Sequence, residues 1–113
     1  MAPPPGHVFH AAVRDLVTPP AQGTLSVTVH GDDAVKVVAF GFAAGEELSE
    51  HTSTLPAIIE VVSGHLVLTL GGEERDAPAG AWALLDPGLP HAVRALEPSV
   101  MLLTLVRAAR EPL

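Results

Sequence analysis

The side chains of this chain best suited to chemistry are its six histidines, His7, His10, His30, His51, His65 and His91. It has no cysteine, which removes disulfides and thiolate metal centres from consideration. Any metal must then be held by imidazole, carboxylate or water, a donor set that suits Zn, Ni, Fe, Cu or Mn. A desolvated imidazole has a second use, as a general acid or base near neutral pH. His91 stands among Leu89, Pro90 and Val93, an apolar setting. His7, His10, His30 and His65 read as ordinary surface or core residues. The pairs Glu46-Glu47 and Glu73-Glu74 read as solvated turn residues, and Phe40, Phe42 and Trp82 as core packing.

The elements that position these histidines follow from hydropathy patterning. With 113 residues, 48% of them apolar, the chain has the size of one domain and enough apolar surface for a core. Residues 1–20 read as an N-terminal arm and lead-in, proline-rich at the start, with room for a short helical turn before Pro19-Pro20. Leu25, Val27 and Val29 alternate with Ser26, Thr28 and His30, the period of a half-buried strand. Further strands are expected over 35–42, 57–62, 65–70, 73–77, 81–85, 92–96 and 100–106, with a turn at 44–47. Gly71-Gly72 predicts a two-residue hairpin loop, because such turns need positive φ. Many short strands with regular turn signals and no long helix predict an all-β, antiparallel jelly-roll barrel over 21–107. Residues 108–113 read as a frayed tail.

Two stretches carry a family resemblance. Residues 45–64 hold Gly45, His51, Ser53, Ala57 and Gly64 at the spacing of G(X)5HXH(X)3–4E(X)6G, and 80–95 hold Gly80, Asp86, Gly88, His91 and Ala95 at the spacing of G(X)5PXG(X)2H(X)3N. These resemble the two motifs of the cupin superfamily, and the chain looks like a small, single-domain, RmlC-like member of it. The resemblance implies that His51 and His91 stand at the first and last metal-ligand positions. Ser53 replaces the second histidine and Ala57 the glutamate, so two of four ligands remain. The pocket is then expected to be lined by His51, Ser53, Ala57 and His91. Residues two apart on a strand share a face, which would point His51 and Ser53 the same way, whereas Glu60 and Glu50 have the wrong parity to help.

The function expected from this is a small-molecule-binding module with a two-histidine pocket, its divalent metal weakly held or absent. The alternative is a small enzyme of isomerase, cyclase, decarboxylase or dioxygenase type, with His51 and His91 as acid–base or metal-holding groups. A dimerisation or sensor domain is a third class. The formal charge of −7 argues against nucleic acid, which demands a basic footprint. No apolar stretch approaches the ~20 residues of a membrane-spanning helix. The N-terminus lacks the charge and apolar core of a signal peptide, so a cytoplasmic protein is expected. Open sheet edges and surplus apolar surface predict a homodimer.

Overall fold

A computed structural model describes residues 3–107, so the 108–113 tail lies outside the described residues. After a 3-10 turn, Val13–Asp15, the chain forms β1 (Thr24–Gly31), β2 (Val35–Phe42), β3 (Glu47–His51), β4 (Ala57–Ser63), β5 (His65–Leu70), β6 (Glu73–Pro78), β7 (Trp82–Leu85), β8 (His91–Ala95) and β9 (Ser99–Val106). The strands build two antiparallel sheets, ordered β1-β2-β9-β4-β7 and β3-β8-β5-β6. Apart from the β1-β2 and β5-β6 hairpins the chain passes back and forth between them. The result is a jelly roll whose two sheets face each other without closing into one continuous cylinder.

Alternation within the strands fills the space between the sheets. Phe42, Ile59, Val61, Leu85 and Met101 from the larger sheet meet Leu66, Leu68, Ala77, Val93 and Ala95 from the smaller. Each large side chain so buried contributes roughly 1.5–3 kcal/mol, which makes this core the principal source of stability. Phe40 packs beside it, its ring stacked on Phe42 at 6.2 Å between centroids. A second, smaller cluster lies on the outer face of the larger sheet, where Leu16 and Val17 of the lead-in cover Ala39, Val100 and Leu102.

Three glycines do work no other residue does as well. Leu70 pairs with Glu73 across Gly71 (φ 59°) and Gly72 (φ 85°), the two-residue hairpin expected from the sequence. Gly64 (φ 82°) forms the corner at which the chain leaves β4 in one sheet and enters β5 in the other.

Three local readings are corrected. β3 begins at Glu47, where the sequence suggested only a turn; with Leu48 its one apolar residue, it has no alternation to read. β1 is an edge strand, and its Leu25 and Val27 are exposed rather than half-buried. Trp82 is also exposed, because it projects outward from the opposite edge, in register with Glu60. Among the described residues no helix is long and apolar enough to cross a membrane.

Candidate functional site

His51 ends β3 and His91 begins β8, and the two are direct cross-strand partners. Opposed residues in an antiparallel pair share a face, here the inner one. One step along, Leu48 faces Val93 of the core, and on the other side His91 faces Leu70 of β5. Leu48 and His51 are three apart, and a regular strand would send them to opposite faces. A bulge between them absorbs the extra residue, so both point inward. The segment entering β8 is held by the Gly71 N–H, which donates to the Pro90 carbonyl at 2.8 Å.

The two rings lie 4.2 Å apart between centroids, tilted by 59°. Each Nδ1 lies 2.9 Å from the carbonyl oxygen two residues earlier, Ser49 for His51 and Leu89 for His91. A carbonyl oxygen only accepts, so in each ring Nδ1 carries the proton and donates it. In the neutral rings both Nε2 atoms then present lone pairs. His91 is 5% exposed whereas His51 is open to solvent. The pair therefore marks a rim, with one ring set in apolar surroundings and the other facing water.

Ser53 lies beyond the end of β3, so the shared strand face expected for it and His51 does not exist. Its Oγ accepts the Leu55 N–H at 3.1 Å, and its carbonyl accepts the Gly88 N–H at 2.8 Å. The second bond ties the loop after His51 to the loop before His91. Ala57 is buried on the inner face of β4, between Leu85 and Leu105. It offers a methyl group where a carboxylate would be needed. Glu47 pairs with Arg94 on the outward row of the smaller sheet, and Glu60 stands outward between Leu102 and Trp82. Among the described residues, no three His, Cys, Asp or Glu side chains form a metal-holding cluster. The donors at the site thus fit a divalent ion through two nitrogens, with water completing its shell, and do not fit a four-ligand centre.

Two other histidines have carboxylate partners, His65 with Asp76 at 2.5 Å and His30 with Asp32 at 2.7 Å. The His30 ring, with the N–H groups of Val35 and Ala34, holds the Asp32 carboxyl well below the usual carboxylate range. A cavity of about 300 Å³ lies on the outer face of the larger sheet, lined in part by His30, and includes neither His51 nor His91. Sequence reasoning passed over His30, whose only local signal is the nearby Asp32.

Residues 38–106, more than half of the chain, match the family described as the cupin domain. The chain is a cupin. Its fold agrees with solved members. A protein of unknown function from Streptococcus pyogenes superposes with a TM-score of 0.79 at 26% identity, over 93% of this cupin and 95% of that chain. An RmlC-like cupin from Desulfovibrio desulfuricans gives 0.79 at 28% identity, over 89% and 98%. A cupin superfamily protein from Desulfitobacterium hafniense gives 0.82 at 19% identity, over 91% and 94%. No curated protein sequence matches this cupin. The likeness to solved structures speaks for fold, and the chemistry of this cupin has to be argued from its own residues.

Proposed function

We propose that this cupin binds a small, largely apolar organic molecule at the His51–His91 rim, with divalent metal held weakly or not at all. One observation carries the reading: two opposed imidazoles whose Nδ1 atoms are committed to backbone carbonyls, leaving an acceptor Nε2 on each ring at the edge of an apolar core. A few placed polar groups in an apolar surround are the usual form of a ligand site. The acceptors suit a ligand bearing an O–H or N–H group, and a carbonyl is engaged only once a ring takes a second proton. The same fixed lone pairs are what a general base requires, which keeps acid–base catalysis as the second reading.

Elemental analysis and unbiased mass spectrometry of the purified protein test the proposal directly. The expected result is a copurifying organic molecule in substoichiometric or full amount, displaced in His91→Ala, with no stoichiometric metal. A protein that carries no organic ligand, and binds none from a library of small hydroxylated or amide compounds, contradicts it.

Assembly belongs to the same proposal. Leu25 and Val27 on β1, and Trp82 and Leu84 on β7, are exposed apolar residues on the two open edges of the larger sheet. Such edges invite pairing or cover. A homodimer in solution is expected, and light scattering that finds only monomer at micromolar concentration would exclude it.

A further inference from the structure

The cavity on the outer face of the larger sheet is walled by Leu16 of the lead-in with Val29, Val37 and Leu102 of the strands, and His10 and His30 supply its polar edge. Leu16, Val29 and Leu102 also pack against the small outer cluster, so its walls belong to packed structure. Its volume of about 300 Å³ is roughly twice that of an engineered cavity that takes benzene. A bicyclic aromatic molecule would fit.

His30 reaches the cavity through an irregularity of its strand. Regular alternation in β1 would place it with Ser26 and Thr28, on the inner face. The register shifts between Thr28 and His30, so that His30 faces Val37, another lining residue of the cavity. Bulges of this kind re-aim a side chain, and this one brings His30 to the cavity beside Val29. The ring is then fixed. Nε2 donates to Asp32 Oδ2 at 2.7 Å, while Asp32 Oδ1 accepts the N–H groups of Ala34 and Val35 at 2.7 and 2.8 Å. Because the carboxylate accepts the hydrogen bond of Nε2–H, the neutral ring keeps its lone pair on Nδ1. The ionised Asp32 beside it, in a chain of net charge −7, disfavours an anionic guest.

We propose that this cavity is a second ligand site, which takes a neutral apolar molecule carrying one hydroxyl, of the phenol or alcohol class, with its O–H donated to Nδ1 of His30. The Asp32–His30 pair acts as the orienting device, and the aliphatic walls hold the body of the ligand. The site goes beyond the His51–His91 reading and does not depend on it.

The test uses 2-naphthol, neutral at pH 7, and 2-methoxynaphthalene, its counterpart without a donor, titrated into the full chain by calorimetry. The naphthol is expected to bind saturably, and about five- to tenfold more tightly than the ether, the contribution of one hydrogen bond. His91→Phe by itself removes the buried acceptor of the rim, and the naphthol preference of the cavity should persist in it. His30→Phe keeps an apolar wall and leaves the Asp32 turn bonded to Ala34 and Val35; in the His91→Phe background it should remove the preference and bring the two affinities together. The proposal is overturned if no saturable binding occurs, whether or not a second copy covers this face. It is also overturned if the His30→Phe/His91→Phe double variant, shown by its melt to be folded, keeps the preference. Loss of naphthol binding in His91→Phe overturns it too, since the ligand would then be at the rim of the barrel.

Discussion

Gly64→Ala is expected to remove about 3–5 kcal/mol of stability, a large share of what a domain of this size possesses. Two costs combine. At φ 82° an L side chain meets its own backbone, at about 1–2 kcal/mol. The added Cβ would also press on Ser99 Oγ and the Pro98 carbonyl oxygen, and stand 2.7 Å from Ser99 Cα. Two of those three neighbours are backbone atoms, so relief requires moving the chain rather than rotating a side chain. That movement would disturb Ser99, which is fully buried. Its Oγ accepts the His65 N–H at 3.0 Å and donates to the Glu97 carbonyl at 2.7 Å, holding the start of β5 against the start of β9. Gly72→Ala is the internal control. Gly72 has nearly the same φ, 85°, with nothing within 4 Å of its added Cβ, so it should show the conformational cost alone. Urea denaturation of the two variants separates the terms, and equal losses would refute the crowding account of the Gly64 corner.

His51→Ala, His91→Ala and the double variant are expected to lose Zn, Ni or Cu binding to the same extent, each by more than about tenfold relative to an already weak wild type. The reason is that two imidazoles share one ion, and a single remaining nitrogen cannot keep it against water. Contributions that act as a unit are not additive. The melting temperature of the metal-free protein should stay nearly unchanged or rise slightly in each variant, because the core does not depend on an ion as a small zinc domain does. Binding requires unprotonated nitrogen, so acidification should release the ion from the wild type. Metal titration with calorimetry on the three variants is the measurement. Stoichiometric metal that survives a chelator in the purified wild type would contradict the two-nitrogen site.

Local patterning in the sequence was sufficient wherever local physics decides. β2 and β5 have the bounds their β-branched and apolar runs suggested, and Gly71-Gly72 turns the chain because both positions need positive φ. The motif spacing around Gly45–Gly64 and Gly80–Ala95 was enough to recognise the cupin family, since glycines at corners and histidines at fixed intervals are properties of the chain itself. Tertiary structure decided what the period of two cannot express. The bulge before His51 turns it toward His91, and the bulge after Thr28 turns His30 to the face opposite Ser26 and Thr28; one extra residue reverses the parity of every position after it. Ser53 stands in a loop because β3 ends at His51, a boundary set by pairing with β8 and not by any residue in β3. Leu25, Val27 and Trp82 read as buried in the sequence and are exposed in the fold, because hydropathy records which side chains leave water favourably, while only sheet order determines which strands become edges with nothing packed beyond them.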